Sequence, residues 1–209
     1  MDTRKTRTWA EVSLGALRHN VEEMQRALPD GCGLLGVVKA DAYGHGASEI
    51  AAALRECGCR YLAVACPQEA LALRQAGETM PILILGAVDA AFASDMAAND
   101  ITLSVECAEK GRALSAALRG GERLRIHLKL DTGMGRLGFR VQDETALREA
   151  AAVAQLPNLD AEGVFTHFSV SDTPGEEEYT ATQLALFLSA VEKLEAMTGR
   201  RFPLRHCAN

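Results

Sequence analysis

Aromatic residues make up only 5% of the 209-residue chain, with a single tryptophan, so any core must be built from aliphatic side chains. Core material is ample, since 48% of the residues are hydrophobic and alanine and leucine dominate. What is missing is a run of about 18 consecutive apolar residues, so no segment reads as a membrane span. A basic stripe is missing too. The 22 Lys and Arg stand against 28 Asp and Glu, and the net charge of −6 is spread along the chain. That excludes the electrostatic footprint of a nucleic-acid binder. Met1–Thr8 carries charge with no apolar stretch behind it, so it does not read as a secretory signal. Six cysteines (Cys32, Cys57, Cys59, Cys66, Cys107 and Cys207) form no C-x-x-C pair. Cys57-Gly58-Cys59 is too tight for zinc and has no histidine near it, so no metal is expected and the thiols read as reduced, in a cytoplasm.

Short apolar, β-rich runs recur along the chain: Leu34–Val38, Tyr61–Ala65, Pro81–Leu85, Ile101–Val105, Leu124–Leu130, Ala161–Thr166 and Pro203–Cys207. Helical patterns lie between them, and near-continuous apolar strands alternating with helices signal parallel βα units. Ser13 suits the N-cap of a helix bearing Leu14, Leu17, Val21, Met24 and Leu28. Pro67 suits a helix start and Gly77 a helix end. Glu176 to Met197 is the longest helical pattern, closed by Gly199. No linker or low-complexity tract interrupts this order, so residues 1–209 read as one domain. Seven such strands predict a TIM-type (β/α)8 barrel lacking its eighth strand. A doubly wound open sheet is the other arrangement that the periodicity allows.

Parallel barrels keep their functional residues where strands end. Three stretches put polar residues there. In Val37-Val38-Lys39-Ala40-Asp41-Ala42-Tyr43-Gly44-His45-Gly46, Lys39 follows an apolar strand and precedes a flexible, glycine-bearing loop. A lysine at a barrel mouth loses part of its hydration, which frees the amine for Schiff-base chemistry; the plainer alternative is a lysine snorkelling from a strand end. In Lys129-Leu130-Asp131-Thr132-Gly133-Met134-Gly135-Arg136-Leu137-Gly138-Phe139, three glycines let the backbone approach a ligand. Arg136 offers a fork of donors suited to a carboxylate or phenolate; it also reads as an exposed arginine on a turn. In Gly163-Val164-Phe165-Thr166-His167-Phe168-Ser169, His167 stands at a strand end, where a hydrogen-bonded structural histidine is equally at home.

The order of these residues resembles the alanine racemases. V-V-K-A-D-A-Y-G-H-G is similar to the family's cofactor-lysine motif. The Lys129–Phe139 run and the terminal His206-Cys207-Ala208-Asn209 follow in family order, and the resemblance covers Trp9 to Asn209. It implies pyridoxal 5′-phosphate held covalently by Lys39, an alanine substrate, D-alanine made for peptidoglycan, and a homodimer as the full-length parent. Among the site residues it implies Lys39 as one of two bases, on the D-alanine face, and Tyr43 on the cofactor phosphate. Arg136 would hold the phenolic oxygen and the substrate carboxylate, His167 would stack on the pyridine ring, and Asn209 would lie near the cofactor. Lys129 matches a lysine that some members carry as a carbamate bridging to the arginine.

In the family the second base is a tyrosine of the partner's C-terminal β-domain, and none of Tyr43, Tyr61 and Tyr179 has a matching context. The chain also ends before the serine after H-x-A-N, before the arginine that partners the pyridine nitrogen, and before the eighth strand. The expectation is therefore a partial barrel without the β-domain, inactive and poorly stable alone. Other readings are a non-catalytic pyridoxal-phosphate-binding barrel, a racemase for another small amino acid such as serine, and a module that has lost its cofactor.

Overall fold

The computed structural model describes residues 8–209, so the reading of Met1–Thr8 lies outside the described residues except for Thr8. The chain divides into two compact units, one up to Ile82 and the other Leu83–Asn209.

The first unit carries α1 (Leu14–Ala27), β1 (Leu35–Val37), α2 (Lys39–Gly44), α3 (Ala47–Glu56), β2 (Tyr61–Val64) and α4 (Pro67–Gln75), and it ends as β3 (Ile82–Ile84) begins. As the sequence suggests, Ser13 caps α1, its Oγ accepting the Ala16 amide at 3.1 Å. Pro67 opens α4, and Gly77 follows it with φ +88°. β1 pairs in parallel with β2, Leu35 opposite Tyr61 and Val37 opposite Ala63. Tyr61–Val64 is wholly buried, as its apolar run predicts. β1 is not: it stands at the end of the strand order, and Val37 is 38% exposed. The apolar stripe expected on α1 is fully buried only at Val21, with Leu14, Leu17 and Leu28 half-buried and Met24 58% exposed.

The second unit continues from β3 through α5 (Ala93–Ala98), β4 (Ile101–Val105), α6 (Ala108–Ala117), β5 (Leu124–Asp131), β6 (Phe139–Arg140), α7 (Glu144–Ala154), β7 (Leu159–His167), α8 (Glu177–Thr198) and β8 (Leu204–Ala208). Its strands run in the order β3-β4-β5-β7-β8, with β4–β5, β5–β7 and β7–β8 all parallel. The two-residue β6, absent from the apolar runs, pairs with the end of β5 through Leu130 and Phe139. Asp143 caps α7 by accepting the amides of Thr145 and Ala146, and Gly199 closes α8 in the left-handed conformation.

β5 alternates strictly. Leu124, Ile126, Leu128 and Leu130 form one fully buried face, each contributing about 1.5–3 kcal/mol by leaving water. Arg125, His127, Lys129 and Asp131 form the other. That polar face, continued on β7 and β8, is where the chemistry of this unit lies.

Candidate functional site

In the first unit the amide of Val38 still donates to Ala63, at 2.8 Å, and the chain then leaves the strand at Lys39. The sequence suggests a flexible loop here. The structure instead has a left-handed helical turn: Ala40, Asp41, Ala42 and Tyr43 have φ between 51° and 56° and ψ between 35° and 50°. None is glycine, and L-residues lose roughly 1–2 kcal/mol each in this conformation. Strain of this kind survives only where the surroundings impose it. Here two carboxylates do so. Asp41 Oδ1 accepts the Ala47 amide at 2.7 Å. Glu69, the third residue of α4, accepts the Ala40 amide on Oε1 and the Ala65 amide on Oε2, both at 2.7 Å. The Ala42 amide returns to the Val38 carbonyl at 2.9 Å, and that of Gly46 to Asp41 at 3.0 Å. Lys39 is half-buried, its Nζ 5.9 Å from the ring centroid of Tyr43, which is 61% exposed. This unit thus brings two of the predicted residues, Lys39 and Tyr43, together on one strained turn.

In the second unit Lys129 is buried on the polar face of β5, its Nζ 4.8 Å from the centroid of Phe165 on β7. Burial, aided by the charge of Arg136 and opposed by Asp131, pushes its pKa down from 10.5 to about 8. Arg136 is exposed on the loop between β5 and β6. The Asp131 carboxylate gathers the start of that loop, accepting the amides of Gly133 and Gly135 at 3.0 Å each. Two of the three glycines there answer to the protein's own atoms. A Cβ on Gly138 would meet the β5 backbone at 2.8 Å, and one on Gly133 would meet the Tyr179 hydroxyl at 2.5 Å. At Gly135, by contrast, a Cβ would meet nothing within 4 Å.

His167 closes β7, opposite Ala208 of β8, so Asn209 follows at the same end of the neighbouring strand. Asn209 Nδ2 donates to Asp172 at 2.9 Å. Deeper on this face, His206 stacks on Phe165 with centroids 4.8 Å apart, and its Nε2 shares a 2.8 Å hydrogen bond with Nδ1 of His127. Burial, followed by the charges of His127 and Lys129, pushes the His206 pKa down to about 3, so its ring is neutral. Glu162 lies 3.4 Å from Nε2 of His127 and accepts from Thr102. This unit therefore gathers Lys129, Arg136, His167 and Asn209 toward the C-terminal ends of adjacent strands, over the buried His127 and the half-buried His206.

Comparison with known proteins decides the family. The model of the alanine racemase N-terminal domain matches residues 12–209. The chain belongs to this family. The alanine racemase of Desulforamulus reducens is 42% identical over 202 residues, which cover 96% of this chain and 54% of the relative. That of Geobacillus stearothermophilus is 43% identical, with 97% and 50% covered. Among solved structures, an alanine racemase of Clostridium difficile 630 in complex with cycloserine superposes with a TM-score of 0.91 at 36% identity, over 97% of this chain and 55% of that one. A histidine racemase of Leuconostoc mesenteroides subsp. sake gives 0.79 at 30% identity, with 95% and 52% covered. The chain thus spans about half the length of the relatives it matches. The likeness also settles the architecture: seven parallel strands of a (β/α)8 barrel, not a doubly wound sheet. Among the described residues no helix is long and apolar enough to cross a membrane.

Sequence reasoning passed over Glu69, Thr132, Thr166 and Gln183. Two of them had a signal. Glu69 stands three residues beyond the N-cap Cys66, where a carboxylate serves a helix start. Gln183 falls at core-facing spacing with Phe187 and Leu194, a polar residue on an apolar stripe.

Proposed function

We propose that this chain is the cofactor-bearing barrel portion of an alanine racemase, with pyridoxal 5′-phosphate held covalently by Lys39. The observation that carries the reading is the left-handed turn, in which four non-glycine residues are held in a costly conformation directly after that lysine. The donor set suits the group, whose phosphate and phenolate are anions. The first unit offers an amine and an exposed phenol, and the second an arginine, a buried lysine and a histidine at a strand end. When bound, the cofactor supplies an electron sink that acidifies the α-proton of an attached amino acid.

The chain's own residues do the rest. Once the substrate's amine has displaced Lys39 from the cofactor, its free Nζ would remove or return the proton at the α-carbon on one face, and the phenol of Tyr43 would hold the phosphate. Arg136 binds the substrate carboxylate and the cofactor's phenolic oxygen through its planar fork. His167 would pack on the pyridine, and Asn209 would lie near it. Lys129, neutral in about half of the molecules near pH 8, is suited to take up carbon dioxide as a carbamate facing Arg136. Inversion also needs an acid–base group on the opposite face. Tyr61 is buried and Tyr179 donates to the Gly133 carbonyl, so neither is assigned that task. The relatives favour alanine as substrate, and the histidine racemase indicates that this fold accepts other side chains. We further assign the parent protein to the cytoplasm as a homodimer supplying D-alanine for peptidoglycan.

The test is chemical. Pyridoxal phosphate added to the chain, fixed with borohydride and located by peptide mapping, is expected on Lys39. Label on Lys129 or any other lysine instead would overturn the assignment.

A further inference from the structure

Gln183, on α8, is fully buried, and its amide uses every hydrogen-bonding position it has. Nε2 donates to Thr132 Oγ1 at 3.2 Å and to the His167 carbonyl at 3.4 Å. Oε1 accepts from the amide and from the hydroxyl of Ser169, at 3.0 Å each. The hydroxyls beyond it fall into one direction. Thr166 gives its only proton to the Leu130 carbonyl at 3.0 Å, so across the 2.8 Å contact between the two threonines Thr132 must be the donor. Thr132 is then left as an acceptor for Gln183. A chain of donors thus runs from α8 through Thr132 and Thr166 to the β5 backbone, each bond polarising the next. One turn earlier on α8, the Tyr179 hydroxyl donates to the Gly133 carbonyl at 2.9 Å.

We propose that Gln183 is a positioning residue: it locks the start of the loop that carries Arg136 and the end of the strand that carries His167 into one frame. The assignment rests on the roles proposed above for Arg136 and His167. Two donors from Ser169 face one end of the amide, and two acceptors, Thr132 and the His167 carbonyl, face the other. Only a side chain with both an oxygen and an NH2 group meets all four. A glutamate of the same shape would set an oxygen against the His167 carbonyl, and a methionine would abandon all four partners.

The experiment uses the full chain and its Gln183→Glu and Gln183→Met variants, with amide hydrogen exchange read by residue. In Gln183→Met, the Ser169 amide is expected to exchange at least tenfold faster. In Gln183→Glu, Ser169 keeps its acceptor, and the Gly133 and Gly135 amides are expected to quicken at least tenfold once the introduced carboxyl ionises. The Leu103 amide of β4 should be unchanged in both, which a loss of overall stability would not allow. Affinity for pyridoxal phosphate should fall at least tenfold in each. Unchanged exchange at 133, 135 and 169, or an equal rise at Leu103, would overturn the proposal. If Gln183→Met fails to fold, Gln183→Glu decides by the same amides. If the unsubstituted chain takes up no pyridoxal phosphate, the functional reading falls, and the exchange pattern still decides the role of Gln183.

Discussion

Lys39 and Lys129 both lie toward the ends of parallel strands, in different units, and the protein controls them by different means. Around Lys39 the constraint is in the backbone: a left-handed turn held by the carboxylates of Asp41 and Glu69, on an exposed surface. Around Lys129 the backbone is ordinary strand, and the constraint is dielectric: a buried amine over Phe165, beside Arg136 and near the neutral ring of His206. One lysine is aimed by torsion angles and the other is tuned by desolvation. A turn fixes direction without removing water, while a sheet face removes water and leaves the direction to alternation along the strand.

The sharpest way to break this comparison is pH. The Lys129 pKa lies near 8 in the folded chain against 10.5 in the unfolded one, so between these values the unfolded state binds more protons and stability rises with pH. Below about pH 8 the cost of burying the charge is present in full. At about 1.4 kcal/mol per unit, its relief by pH 10.5 amounts to about 3 kcal/mol. Denaturant unfolding followed across that window should show the rise, and Lys129→Met should flatten it. A rise that survives the substitution would remove Lys129 as its source.

A smaller effect is expected at the turn. Glu69→Ala leaves the amides of Ala40 and Ala65 without their acceptor and should cost about 2 kcal/mol in urea unfolding. It should also slow the labelling of Lys39 by pyridoxal phosphate, while an equal substitution at the exposed Glu22 should do neither. The smallest effect has the opposite sign. Ala40→Gly relieves a left-handed alanine at the surface, and after the added entropy of the unfolded chain it should stabilise by about 0.5 kcal/mol. A loss of stability there would mean that the turn is not strained.

The elements were largely legible, because buried parallel strands leave contiguous apolar runs and helices leave capping residues. Tyr61–Val64 and Ile101–Val105 match their apolar runs, and Ser13, Pro67 and Gly199 mark helix boundaries as their chemistry suggests. β6 was not legible, since two residues paired to the end of β5 have no periodicity to show. Nor was the turn at Lys39, because two alanines and a tyrosine, which avoid positive φ, adopt it there alongside Asp41 only under outside restraint.

The sequence by itself determined the family, the seven strands of the main parallel order and the candidate residues Lys39, Arg136 and His167, since motif order and apolar periodicity are properties of the chain read in line. Only the tertiary structure decided which groups lose water and which donors meet which acceptors. His206 is neutral because it stacks against Phe165 beside His127 and Lys129, and Glu69 serves the lysine turn from a helix 29 positions away from Ala40. Gln183 reaches a loop 51 positions earlier in the chain. Desolvation and hydrogen bonding act through space over a few ångströms, and at such sequence separations nothing but the fold makes residues neighbours.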